Sequence, residues 1–122
     1  MTKATILIAD DEYLVIDVAK AMFEMMEYTV ITAEDGEQAF EIFKLHQDEI
    51  DLIILDISMP KVDGFTCLKQ IREISKTPAL ISSGLSQILD DEVLVKNKAQ
   101  GILPKPFSME LLENTVAKYI KK

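Results

Sequence analysis

Apolar residues recur along the chain in five short runs: ATILIA (4–9), TVITA (29–33), DLIILD (51–56), PALISS (78–83) and GIL (101–103). Their length and β-branched content predict strands. The runs are nearly continuous rather than alternating, as expected of strands covered on both faces of a parallel sheet. Between them the apolar spacing changes to three and four. Val15, Val18, Met22 and Met25 predict the inner stripe of a first helix. Ala39, Ile42 and Phe43 predict a second, behind the N-cap candidate Asp35 with Gln38 three residues on. Phe65, Leu68 and Ile71 predict a third; Leu89, Val93 and Leu94 predict a weaker fourth. Leu112, Val116 and Tyr119, behind the N-cap candidate Ser108, predict a fifth.

Strand and helix thus alternate five times, which predicts an open α/β sheet with helices on both faces. Right-handed crossovers carry every strand's C-terminal end to one edge, where such sheets bind ligands. With 122 residues, 48% of them apolar, the chain suits one domain, spanning 1–122, with no linker, repeat or output domain visible. Acidic residues outnumber basic ones by 21 to 13, for a formal charge of −8. That balance opposes direct nucleic-acid binding, which recruits Lys and Arg. A single cysteine, Cys67, excludes an internal disulfide and fits a reduced compartment. The N-terminal apolar run is broken by acids, unlike a signal peptide, and no run is long enough to span a bilayer. The expectation is a soluble, cytoplasmic protein without membrane insertion.

The residues just past each strand carry the candidate chemistry. Asp10, Asp11 and Glu12 follow the first run, Asp56 ends the third, Ser83 ends the fourth, and Lys105 follows the fifth. Adjacent carboxylates are costly unless a cation joins them. Oxygen donors without His or Cys suit a hard ion such as Mg²⁺, with Mn²⁺ as a substitute. Asp10, Asp11 and Asp56 supply carboxylates for it, and the loop after Asp56 could add the Ser58 carbonyl. A carboxylate can also accept a phosphoryl group, and phosphoryl transfer asks mainly for positioning and charge neutralisation. On this reading Asp56 is the phosphoacceptor, with Lys105 and the Ser83 hydroxyl serving the phosphoryl oxygens. Any one of these fragments alone would more often be a turn, a cap or a loop; their coincidence on one edge is the signal.

In order, ADDE, AEDGEQAF, DLIILDISMPKVDGF, PALISSG and LPKPF resemble the response-regulator receiver domain over essentially the whole chain. The resemblance implies a flavodoxin-like, doubly wound (βα)5 parallel sheet in the order 2-1-3-4-5. It implies Mg²⁺ at Asp10 and Asp11, phosphorylation of Asp56, a Ser83 hydroxyl that moves to the phosphoryl group, and a conserved-role lysine at Lys105 before a cis proline. It further implies a phosphodonor, either a histidine kinase or a histidine phosphotransfer protein, and a downstream protein target. The domain would be a signalling phosphoacceptor, not an enzyme, although it assists its own phosphoryl transfer and dephosphorylation. Three positions depart from the pattern. Ile102 stands where the family often has an aromatic, and Glu27 and Lys98 stand where it often has Gly. A phosphorylation-independent binding module on the same fold is the alternative, opposed by the complete acidic, hydroxyl and lysine set. A flavodoxin would want a hydroxyl- or Gly-rich phosphate loop in place of DDEY. A phosphatase with an Asp nucleophile would want a second acid at position 58.

Overall fold

A computed structural model describes residues 4–84 and 91–120. The five strands are β1 (Thr5–Ala9), β2 (Thr29–Ala33), β3 (Leu52–Asp56), β4 (Ala79–Ser83) and β5 (Gly101–Pro104). They alternate with α1 (Tyr13–Met25), α2 (Gly36–Leu45), α3 (Gly64–Arg72), α4 (Asp91–Lys96) and α5 (Met109–Tyr119). All strand pairs are parallel, in the order β2-β1-β3-β4-β5. The predicted element order and the doubly wound topology are both present. Residue Leu89 of the predicted fourth helix lies outside the described residues.

Two cores sandwich the sheet, as the continuous apolar runs require. Leu7, Ile53, Leu55 and Ile81 point to one side, against Ala39, Phe43, Leu68 and Ile71 of α2 and α3. Ile6, Ile8, Ile54, Leu80 and Leu103 point to the other, against Ala19 and Phe23 of α1 and Leu112 and Val116 of α5. The α1 stripe differs from expectation by one position. Ile16, Ala19 and Phe23 are buried, whereas Val18 and Met25 are exposed. Apolar residues lie almost all round this helix, so two parallel stripes fit the spacing; the bulk of Phe23 decides which one is buried.

Capping follows the sequence closely. Asp35, Asp63 and Ser108 each accept a hydrogen bond from the backbone N–H three residues on, at 2.7, 2.8 and 3.1 Å. Gln38 reaches back to the N–H of Glu34 at 2.7 Å.

Helices α1 and α4 each end in a residue that is left-handed without being glycine. Glu27 has φ 71° and Lys98 has φ 57°. Around Glu27 the Tyr28 N–H donates to the Phe23 carbonyl and the Glu27 N–H to the Glu24 carbonyl, both at 3.0 Å. Ala99 and Lys98 repeat the pattern with Leu94 and Val95, at 2.9 and 3.1 Å. These are Schellman closures, in which glycine is favoured because it lacks Cβ. Glu27→Gly is therefore expected to raise stability by about 0.5–1 kcal/mol in chemical denaturation. A loss of stability on that change would mean that the Glu27 side chain makes a compensating contact.

Candidate phosphoacceptor site

The register of the sheet assembles the site. Ala9 pairs with Leu55, so Asp10 and Asp56 emerge side by side from the two central strands. Asp56 pairs with Ser82 and Ser83 with Pro104, so Lys105 follows one step beyond. Alternation puts Asp10, Asp56 and Lys105 on the same sheet face as Ile8, Ile54 and Leu103. The Lys105 Nζ lies 3.1 Å from Asp10 Oδ2, 3.2 Å from Asp56 Oδ1 and 3.5 Å from Glu12 Oε1. The Lys105–Pro106 bond is cis.

Asp10 and Asp56 are buried and Asp11 is exposed, yet one carboxylate oxygen from each lies within 4.8 Å of the others. Burial, then the Asp10 charge, pushes the Asp56 carboxyl up to about 6, against the pull of Lys105. Burial works against the Lys105 ammonium, but hydrogen bonding and charge from Asp10 and Asp56 outweigh it and hold it above the usual lysine range. The three acids therefore carry more negative charge than one lysine neutralises. An all-oxygen donor set of this charge fits a hard divalent cation.

Beside the acids opens a cleft of about 900 Å³, whose walls include Asp11, Asp56, Ser58 and Lys105 on the polar side. Leu14, Val18 and Phe107 form part of its apolar side. Ser58 is exposed in the loop after β3 and lines this cleft, as does Gly84. Ser83 is buried at the end of β4, and its carbonyl accepts from the Lys105 N–H at 2.7 Å. The predicted residues are thus gathered at one edge. Two contributions escaped the sequence reading. Glu12, given no role there, joins the Lys105 ion-pair cluster, and its N–H donates to Asp10 Oδ1 at 2.9 Å. Ser82 buries a hydroxyl with no partner among the described residues, directly across from Asp56. A polar residue within an otherwise buried run was the available signal.

The loop following Asp56 is held from two sides. A Cβ on Gly64 would overlap the Asp56 carbonyl oxygen, and one on Gly36 would overlap the Val62 carbonyl oxygen. Gly64→Ala should therefore displace the strand end that presents Asp56. It is expected to lower stability by about 2 kcal/mol and to slow phosphoryl incorporation about tenfold or more. Wild-type rates in a folded Gly64→Ala protein would show that this contact does not set the geometry.

His46 caps the C-terminal end of α2, with Nδ1 3.5 Å from Glu49, away from these strand ends. Cys67 is fully buried on α3, its thiol pushed up to about 12 by burial and by Asp35 and Asp63. It is a packing residue. Ile102 is half-buried on β5, paired in register with Ile81. Among the described residues no helix is long and apolar enough to cross a membrane.

Comparison with known proteins gives the same class. The family model described as the response regulator receiver domain matches residues 6–117. The probable transcriptional regulator ycf27 of Guillardia theta is 35% identical over 121 residues, which is 99% of this chain and 47% of that protein. The transcriptional regulatory protein CpxR of Escherichia coli is 37% identical over 103 residues, 84% of this chain and 43% of that protein. The chain thus spans about half the length of these curated relatives. Among solved structures, a receiver domain protein from Clostridium thermocellum superimposes with a TM-score of 0.88 at 28% identity, covering 96% of this chain and 94% of that one. The CheX–CheY complex with BeF3 and Mg²⁺ from Borrelia burgdorferi gives 0.79 at 32% identity, covering 98% and 92%. The chain belongs to the response regulator receiver domain family. Receiver domains are the phosphoacceptor switches of two-component systems, and are signalling modules rather than conventional enzymes.

Proposed function

We propose that Asp56 is the phosphoacceptor of this switch, served by Lys105 and Ser83, with Mg²⁺ held by Asp10, Asp11, Asp56 and the Ser58 carbonyl. The observation that carries the reading is the convergence of three carboxylates and one ammonium on a single strand edge beside an open cleft. An Asp56 carboxylate oxygen attacks the phosphorus of a phosphohistidine; the O–P bond forms as the P–N bond breaks, and the imidazole leaves. Lys105 neutralises one phosphoryl oxygen and the Ser83 hydroxyl donates to another. Mg²⁺, when bound, neutralises charge on the remaining oxygen and on the acids. The same groups assist hydrolysis of the product. A BeF3 and Mg²⁺ complex of a CheY relative supports this assignment by analogy.

The apolar wall of the cleft, Leu14, Val18, Pro106 and Phe107, suits a helix presenting the donor histidine, from a kinase or a phosphotransfer protein. Phosphorylation shifts the population between two surfaces around the end of β4, and a downstream protein reads the difference. Residues 85–87 of that connection lie outside the described residues. The relatives are named transcriptional regulators, so any DNA contact is assigned to segments beyond the receiver unit, whose charge opposes it. A cytoplasmic setting fits the free buried thiol of Cys67.

Incubation with acetyl phosphate and Mg²⁺ tests the assignment. One hydroxylamine-labile phosphoryl group per chain is expected, lost on chelation of the metal, with amide NMR shifts extending beyond the site. Unaltered spectra and no labelling would instead favour a phosphorylation-independent binding module.

A further inference from the structure

Helices α3 and α4 return antiparallel to the strands, so both end at the sheet edge remote from Asp56. Between their last turns lies a cleft of about 390 Å³ lined by Lys69, Arg72, Glu73, Lys96, Asn97 and Lys98. Four cations meet one acid there, on a chain with a formal charge of −8. Helix C-termini attract cations, but two such ends together carry only about one negative charge. A positive surplus remains.

Arg72 builds the wall of the cleft. Its Nε donates to the Lys98 carbonyl at 3.0 Å, Nη1 to the Ser75 carbonyl at 3.3 Å and Nη2 to Gln100 Oε1 at 3.1 Å. Lys69, Lys96 and Lys98 pair with no acid among the described residues. Lys98 moreover occupies the left-handed closing position of α4, where glycine would fit without steric cost.

We propose that this cleft docks an acidic polypeptide segment of a partner, with carboxylates spread over the Lys69, Lys96 and Lys98 ammonium groups on a rim fixed by Arg72. The guanidinium fork is committed to three oxygens, and Arg72 is the chain's one arginine, so no bidentate clamp for a phosphate is free. Separate lysine point charges match carboxylates distributed along a flexible peptide. A nucleic acid needs a longer rail of cations than this short cleft, interrupted by Glu73, and meets the repulsion of the whole chain.

Titration of ¹⁵N-labelled protein with an oligoglutamate peptide tests this, with inorganic phosphate and a short DNA duplex titrated in parallel. Amide shifts are expected at residues 69–73 and 96–100, weakening with salt and absent around Asp10, Asp56 and Lys105. The double variant Lys69→Glu, Lys96→Glu should weaken the peptide about tenfold or more. Lys98→Gly should weaken it about fivefold while raising the melting temperature, so that lost binding is separable from lost folding. The proposal is overturned by absent shifts, by shifts insensitive to these variants, by phosphate saturating the same amides at lower concentration, or by a duplex binding as tightly as the peptide.

Discussion

Replacing Asp56 with Asn is expected to abolish phosphoryl incorporation and, at pH 7 without metal, to stabilise the fold by about 3 kcal/mol. The stabilisation follows from the same environment that makes the residue useful. The folded carboxyl keeps its proton up to about pH 6, whereas the ordinary value is 3.8. Between those values the folded state binds more protons than the unfolded chain, so Asp56's contribution to stability falls as pH rises through the window. Asparagine occupies the same space and never ionises. The gap between variant and wild type should therefore be near zero below pH 4, open between pH 4 and 6, and stay constant above. For a domain of this size the neutral-pH gap corresponds to about 10 °C in melting temperature. Added Mg²⁺ should narrow it by stabilising the wild type more than the variant, which lacks one of the three carboxylates. Thermal melts of both proteins from pH 4 to 8, with and without Mg²⁺, measure each part. A variant no more stable than wild type at pH 7 would refute the electrostatic account, and residual label in it would refute the assignment of Asp56.

The second large effect is expected at Lys105. Its ammonium bridges Asp10 and Asp56 at 3.1 and 3.2 Å in a largely buried setting. Lys105→Met keeps the aliphatic stem and removes the charge, leaving two buried carboxylates to face each other. Breaking a buried pair from one side costs about 3 kcal/mol or more. The loss should be largest in metal-free protein and shrink when Mg²⁺ is added, since either cation relieves the same repulsion. Phosphoryl incorporation is not expected to recover in parallel, because the role proposed for the lysine includes a phosphoryl oxygen; a fall of about 100-fold is expected at saturating Mg²⁺. Urea denaturation and acetyl phosphate labelling of the one variant separate the two roles. Labelling within a few-fold of wild type would confine Lys105 to a structural part.

The strands were legible because continuous apolar runs have one common use in a protein of this size, and Asp35 and Ser108 mark helix starts by local chemistry. The acidic edge was legible for a related reason: parallel topology brings every strand's last residue to one place, so reading the residue after each run reads the site. The α1 stripe was not, since Val15, Ile16, Val18 and Ala19 offer two periodic faces and only packing selects between them. The Glu12 contact with Lys105 and the orphan hydroxyl of Ser82 depend on cross-strand neighbours far apart in the chain. Glu27 and Lys98 fell between these cases. The turns they close invite glycine, the backbone there is left-handed all the same, and the side chains present could be noted but not explained from sequence.

The glycines flanking Asp56 have a mechanical consequence. Gly64 and Gly36 admit no added atom against the Asp56 and Val62 carbonyls, whereas a Cβ on Gly84 would meet nothing within 4 Å among the described residues. The connection after β3 is thus the fixed side of the site. The Asp56 carbonyl cannot shift toward Gly64 to make room for a group added to its side chain. Any displacement that such a group causes is therefore expected outside this connection rather than along it.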